Sequence, residues 1–448
     1  MRAIARLTFK IHFTRPQASS ATRRAIPHCF MERRIQILTR AQLFVLMVFT
    51  LAGQFSISIT HICGFLGGGL WLYKARLTRS RNPLRWPLWK PFAIFALASI
   101  LAVLTALDPL RSFEHLKRLF EMGIFFWILN TLADPDLRNS LQAVIDKFFK
   151  TRPAQLFKST REAVTSVSPR NFFIGLILLT SSLSALTGLA QVMQNGLSIH
   201  HRISGTLSIH MTFAGILMQT ALVAAAYLLF RNKKNAWVWG SLVLILLALA
   251  LTLTRQAWLG FGMGLLVLLA FRKPVWIALL PFIAAVFFWI SPAPIKERMG
   301  SLVNLSDATL QERFSMWRLG WQIFKDHPVT GCGFHCMGVV SEDYPEYQEI
   351  FMKFRTVHNN LVQLAIDTGI IGVLAWLFLW LSYFIAAGRH LKSGDNPEHR
   401  WVVVASLSAV TAFLTGGVFE TNFYDSEVVM MAYYLMALPF IRRPEPIH

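Results

Sequence analysis

Apolar runs recur along most of this 448-residue chain, separated by short polar turns. They fall at 42–55, 56–73, 91–107, 117–133, 171–192, 212–230, 236–253, 257–271, 275–291, 360–387, 401–418 and 427–441. Many approach the ~20 residues that cross a bilayer as a helix. The first two runs are parted only by Gln54-Phe55-Ser56-Ile57-Ser58, which predicts a tight helical hairpin. One long polar stretch interrupts the series. It opens at Ser291-Pro292-Ala293-Pro294 and closes at Thr356-Val357-His358-Asn359-Asn360-Leu361. The pattern predicts an all-α polytopic membrane protein with about twelve transmembrane helices and one large loop. Its parts are a basic tail (1–41), helices one to nine (42–291), the loop (292–359), helices ten to twelve (360–441) and a short tail (442–448).

Composition agrees: 54% of residues are hydrophobic, 15% are charged, and mean hydropathy is +0.47. A soluble chain of this length needs more polar surface. The formal charge of +21 raises the question of nucleic acid, which the placement of the charge answers. Roughly three quarters of the 44 Lys and Arg residues lie in alternate connections, including Lys74-Ala75-Arg76, Arg231-Asn232-Lys233-Lys234 and Arg272-Lys273. This bias puts both termini and those turns in the cytoplasm and the long loop on the opposite face. The basic surplus therefore meets membrane lipids, not nucleic acid.

Several stretches add detail. Residues 1–41 carry one acid, Glu32, and no apolar run, so they read as a cytoplasmic tail; Met31 offers an alternative start. Gly64, Gly67, Gly68 and Gly69 permit close helix approach. Within 134–170, Leu141, Val144, Ile145, Phe148 and Phe149 recur at helical spacing beside Lys147, Lys150 and Arg152, which predicts an amphipathic helix on the inner membrane surface. The outer turn 193–211 holds His200, His201, Arg202 and His210 in a spacing that fits no standard zinc pattern. Either that turn caps two helices, or Arg202 contacts an anionic headgroup. Arg255 lies where two spans barely leave room for a turn, and a charge at that depth is expected to have a function.

In the loop, Ser306 or Asp307 is a candidate N-cap. Leu310, Phe314, Trp317, Trp321 and Phe324 then step by three and four, marking an apolar helical face with Arg313 beside it. His327-Pro328 stops that helix and Gly331-Cys332-Gly333 turns the chain. A second helix is expected beyond, with Glu342, Asp343, Glu346 and Glu349 on its polar side. Arg313 reads either as a site residue or as a solvated one, the role expected of Arg318 and Lys325. The spacing of Cys332 and Cys336 does not decide whether they pair. His358, at a water–membrane boundary, suits a proton acceptor or an interfacial cap.

Taken together, these residues resemble a known family. His358-Asn359, nine residues, then Gly369-Ile370-Ile371-Gly372 resembles the H-[N/S/Q]-x9-G-x-x-[G/T/Y] motif of bacterial O-antigen ligases. Arg255 to Leu259 resembles their R-x3-L motif. The run from Arg313 through Trp317, Trp321 and His327-Pro328 to Gly333 is similar to the shared loop region of the wider ligase and polymerase superfamily. Glu420 to Glu427 resembles the outer turn before the last helix.

The resemblance implies a GT-C-like glycosyltransferase. It would transfer polysaccharide from undecaprenyl diphosphate to the lipid A–core oligosaccharide at the periplasmic face of the bacterial inner membrane, with no cofactor and no metal. It carries His358 over as the catalytic residue and Arg255, Arg313 and Arg202 as diphosphate-binding residues; Asn359, Gly369 and Leu259 complete the motifs. The chemistry is coherent: guanidinium forks match phosphate oxygens, and a base takes the acceptor proton. Glu420, Asp425 and Glu427 leave a metal open. The alternatives are an O-antigen polymerase, a protein O-oligosaccharyltransferase and a transporter or flippase. The last would need ionisable groups along the spans, which are nearly free of them.

Overall fold

The structure is a computed structural model that describes residues 20–78, 83–150, 168–199, 201–231, 235–302, 304, 306–392 and 396–441. Most of the basic N-terminal tail, residues 151–167, His200 and the 442–448 tail lie outside the described residues, with whatever was expected of them. The described residues form helices and turns with no strand.

Each of the twelve apolar runs folds as a helix. The first half of the chain forms α1 (Ser20–Ala52), α2 (Ile57–Thr78), α3 (Trp89–Leu104), the short α4 (Pro109–Phe113), α5 (Lys117–Leu132), α6 (Pro135–Lys150) and α7 (Pro169–Asn195). Next come α8 (His210–Phe230), α9 (Ala236–Leu251), α10 (Arg255–Arg272) and α11 (Leu280–Ile290). The loop contributes α12 (Ala293–Gly300), α13 (Ala308–Asp326) and α14 (Gln348–Lys353). The chain closes with α15 (Asn360–Lys392), α16 (Pro397–Gly416) and α17 (Ser426–Ala437). Among the described residues, Met31–Ala52, Pro169–Asn195, His210–Phe230 and Asn360–Lys392 are long and apolar enough to cross a membrane. The helices at Trp89–Leu104, Ala236–Leu251, Pro274–Ile290 and Ser426–Phe440 are apolar but shorter.

The core lies where α16 packs against α8, α10 and α17. Small residues make this possible: a Cβ on Gly260 would come within 2.6 Å of the Ala412 carbonyl oxygen. Of the four α2 glycines, Gly67 is essential, because a Cβ there would meet the Trp127 ring at 2.1 Å; Gly68 and Gly69 face open space. Helix α6 differs from the expected surface helix. It buries Leu137, Leu141 and Ile145, one residue per turn, against the bundle, whereas Val144 is exposed.

The loop has its own core of Met316, Leu319, Ile323, Cys332, Cys336, Met337, Val340, Val357 and Ile366. Asp307 is the N-cap of α13, its side chain accepting from the Leu310 amide at 3.1 Å. The buried face of that helix is Met316, Leu319, Gly320 and Ile323, not the aromatic series, and Trp321 is 59% exposed. Trp317 is half-buried and donates through its indole N–H to the Val357 carbonyl. The expected second loop helix is broken into three 3-10 turns and the six-residue α14. Pro345 disfavours helical geometry at the residue before it, and Tyr344 accordingly leaves it, with φ −129° and ψ 68°. Cys332 and Cys336 form a disulfide.

The loop is fastened to the bundle through a break in α15. Gly369 has φ +60° inside that helix. The break exposes backbone groups that residues 328–333 satisfy: Cys332 N to Ile366 O at 2.9 Å, Gly333 N to Asp367 O at 3.2 Å, Ile370 N to Pro328 O at 2.9 Å and Ile371 N to Val329 O at 3.3 Å. A Cβ on Gly369 would sit 2.3 Å from the Val329 carbonyl oxygen. Gly369→Ala should therefore lower the thermal unfolding midpoint in detergent by an amount equivalent to at least about 2 kcal/mol. Gly68→Ala, in open space, should leave it unchanged; equal effects would remove the docking role of Gly369.

Candidate active site

Six segments converge on one face of the bundle. They are the turn between α7 and α8, the turn before α10, α12, α13, the start of α15, and the turn between α16 and α17. Between them lies a cavity of about 440 Å³ whose lining includes Arg202, His210, Gln256, Arg298, Arg313 and His358.

His358 sits at the neck between the loop and α15 with φ +48°, a conformation seldom adopted by residues other than glycine. Its neighbours hold it there. The Val357 amide donates to Gln363 Oε1 at 3.1 Å, and the Val357 carbonyl accepts from Trp317. Asn359 caps α15, its side-chain oxygen accepting from the Leu361 and Val362 amides. Strained backbone of this kind persists only when its surroundings over-determine it.

His358 Nδ1 lies 2.9 Å from Glu420 Oε1. A carboxylate can only accept, so Nδ1 carries the proton and Nε2 is left as the basic nitrogen. Glu420 is brought there by two asparagines. Asn360 donates to Asn422 Oδ1 at 2.7 Å and accepts from the Phe423 amide, while Asn422 donates to the Phe413 carbonyl. Gly417 lets the turn pass, since a Cβ there would meet the Asn360 amide nitrogen at 2.0 Å. Burial pushes the Glu420 pKa up, but the hydrogen bond and charge of His358, with the Arg313 guanidinium, outweigh it, so Glu420 is held below the ordinary carboxylate range. Glu420 is therefore a carboxylate at neutral pH, able to accept from His358 Nδ1, and loses that role only as pH falls through its depressed value. Gln256 Nε2 donates to the second Glu420 oxygen at 3.4 Å.

The opposite wall is cationic. Arg202 is fixed by its own turn: Nε donates to the Ile199 carbonyl at 2.9 Å and Nη1 lies 3.2 Å from His210 Nε2. Gln191 brackets the turn, accepting from the Ser204 and Gly205 amides and donating to the Gly205 carbonyl. Arg298 donates through Nε to the Leu253 carbonyl at 3.2 Å, itself turned inward by a φ of +52°. Arg313 makes no hydrogen bond or ion pair among the described residues. Burial lowers the pKa of all three, and mutual repulsion with Arg255 adds to it; Arg298 falls to about 10. They stay protonated at neutral pH, and an anion in the cavity would relieve their repulsion.

Arg255 takes a different position. It is buried at the first turn of α10, donating to the Ser301 carbonyl and hydroxyl at 3.0 Å each and to Asp307 Oδ1 at 3.1 Å. It anchors the loop behind the cavity wall. Trp258 is a staple, donating to the Leu249 carbonyl. Leu259 is exposed on the far side of α10. Among the described residues Glu420, Asp425 and Glu427 form no common cluster, although Asp425 pairs with Glu427; Asp425 also caps α17 and accepts from Thr212. Arg298 escaped the sequence reading because it follows Lys296 and Glu297 in a polar lead with no motif around it. Glu420 was visible in its motif, but its partner was not.

Residues 240–377 match the model of the family described as "O-Antigen ligase". The chain is similar to that family. The resemblance stated from the motifs thus holds, over a region containing Arg255, Arg298, Arg313, His358 and Gly369. A curated relative, "Exopolysaccharide production protein ExoQ" of Rhizobium meliloti (strain 1021), is 27% identical over 115 residues, which is 24% of this chain and 26% of the relative. The match therefore spans about a quarter of that relative's length. Both matches are to proteins named for polysaccharide ligation or production.

The two kinds of arginine separate experimentally. Arg313→Met removes a charge with no partner and should leave the thermal midpoint unchanged or raised. Arg255→Met strands Asp307 and should cost about 2–4 kcal/mol of stability, read by the same thermal scan. The reverse order would exchange their roles.

Proposed function

We propose that this protein is a glycosyltransferase that moves a glycan from undecaprenyl diphosphate to the lipid A–core oligosaccharide at the periplasmic face of the inner membrane. The observation that carries the reading is the His358–Glu420 pair opening onto a cavity walled by three guanidinium groups. A base and an anion site facing each other across about 440 Å³ suit attack on a sugar bearing a diphosphate leaving group. The twelve helical runs serve as spans with both ends in the cytoplasm, and the loop disulfide accords with an oxidising outer compartment.

In this mechanism Arg202, Arg298 and Arg313 bind the donor diphosphate. Arg255 adds positive potential from behind and holds α12 and α13 in register. The acceptor hydroxyl donates its proton to His358 Nε2 as its oxygen bonds to C1 of the donor sugar. The bond from C1 to the phosphate oxygen breaks, and undecaprenyl diphosphate departs with the electron pair, its charge met by the guanidinium groups. Attack from the face opposite the leaving group inverts C1. Glu420 fixes the His358 tautomer and stabilises the imidazolium that forms. The residues that act here call for neither metal nor cofactor.

Polymerisation is the second reading, favoured by the relative named for exopolysaccharide production. It uses the same donor site with a second lipid-linked glycan as acceptor. Purified protein given an undecaprenyl-diphosphate glycan and rough lipopolysaccharide, with EDTA present, separates the two. Glycan on the lipopolysaccharide is expected; chains lengthening on the lipid donor would replace ligase by polymerase, and no transfer would refute both. His358→Ala should abolish turnover. Glu420→Gln should lower kcat by about 10²–10⁴ with donor KM within a few-fold. A loss confined to KM would move Glu420 from orienting the base to binding.

A further inference from the structure

The end of the bundle opposite His358 holds a polar cavity that glycosyl transfer does not use. The Gln54 carbonyl, just before α2, accepts from Thr206 in the Arg202 turn, so α2 starts at the active-site face. At 1.5 Å per residue, Trp71 and Lys74 lie roughly 25 Å away along it. There Gln42, Trp71, Lys74, Arg85, Thr131 and Asp134 line a cavity of about 220 Å³.

Three of these side chains carry an unmet demand. Gln42 Oε1, Trp71 Nε1 and Thr131 Oγ1 are buried with no hydrogen-bond partner among the described residues. Gln42 and Thr131 are 1% exposed and Trp71 is 8% exposed. An orphaned buried polar group costs ~1–3 kcal/mol, so three around one cavity point to something that satisfies them. They are complementary in kind: an acceptor, a donor and a hydroxyl that does either. The charged groups supply both signs. Lys74 Nζ contacts Asp134 and lies 3.3 Å from Asp136, while Arg85 donates to the Phe440 carbonyl at 3.4 Å.

An apolar feature adjoins the polar one. The Trp71 ring lies 5.6 Å from Trp86, and Trp86 lies 5.0 Å from Phe126. Trp86, Trp89, Phe92 and Phe126 line a groove of about 540 Å³ between α3 and α5, with Trp86 and Trp89 exposed. A polar cavity of mixed charge next to an aromatic groove matches the two ends of a lipid.

We propose that this is a site for one phospholipid whose headgroup carries a phosphate and a primary ammonium, with an acyl chain in the groove. The phosphate takes the Trp71 N–H, the Thr131 hydroxyl and Arg85. The ammonium donates to Gln42 Oε1 and Asp134. A purely anionic headgroup leaves Lys74 shared between Asp134 and Asp136 with no second cation beside them among the described residues, and a quaternary ammonium has no N–H for Gln42. The proposal is independent of glycosyl transfer.

Native mass spectrometry of the full chain in detergent tests it, with phosphatidylethanolamine, phosphatidylglycerol, phosphatidylcholine and soluble O-phosphoethanolamine as probes. Phosphatidylethanolamine should bind about tenfold tighter than the other lipids, a difference of ~1.4 kcal/mol. Trp71→Phe with Thr131→Val should abolish that preference while the lipid-free thermal midpoint holds or rises, because orphaned groups are removed. Gln42→Leu, read alone, should do the same from a different helix. Equal binding of all three lipids, a preference for phosphatidylglycerol, or binding untouched by the variants would overturn the proposal. Displacement of the lipid by O-phosphoethanolamine at equal concentration would overturn the lipid assignment in favour of a free phosphate ligand.

Discussion

A backbone amide at membrane depth must find its partner within the protein. This constraint governs how a polar loop can be joined to a helix bundle. Here the join is the break at Gly369, where residues 328–333 bond to the groups that α15 releases. Everything at the candidate site hangs from that join. It fixes the loop core against α15, the core fixes Val357, and Val357 aims His358. Two driving forces meet there. The loop buries Met316, Leu319 and Ile323 away from water, where the hydrophobic effect operates. The bundle packs by close approach, as at Gly260 and Gly67.

The site itself is built of opposites held apart. Glu420 and His358 form one pole, kept together by the Asn360–Asn422 pair. Arg202, Arg298 and Arg313 form the other, and of these Arg313 lacks any partner among the described residues. Arg255 is the structural counterpart: both its terminal nitrogens donate within the protein, and Asp307 serves it and α13 at once. Such an arrangement is costly without an anion and favourable with one, which separates a binding wall from a structural ion pair.

Much of this was legible in the sequence. Apolar periodicity located all twelve helical runs, because hydrophobic length is a strong signal in a membrane chain. The Asp307 cap, the stop at His327-Pro328 and the turn at Gly331 followed from local backbone chemistry. The motif residues proved to do different jobs: His358 faces the cavity, Asn359 caps a helix, Gly369 admits the loop, and Leu259 points away. Spacing could not separate these roles, because each depends on contacts distant in sequence. The aromatic series misled for a related reason. Trp317 and Trp321 carry an indole N–H that suits a surface, and Phe314 stays half-buried, while the smaller Leu319, Gly320 and Ile323 fit the interior. Arg298 gave no local sign, since its partner is the Leu253 carbonyl across the fold.

The fastening of the loop also bears on traffic. A segment joined to α15 by four backbone bonds, closed by a disulfide and tied again to the turn after α3 through the Leu107 amide is held at three places. The roof over the cavity is thus fixed masonry, not a door. On the proposed function, reactants anchored in lipid would reach such a chamber by drifting in the plane of the bilayer and entering from the side. Their encounter would then depend on surface density in the membrane, not on concentration in the surrounding fluid.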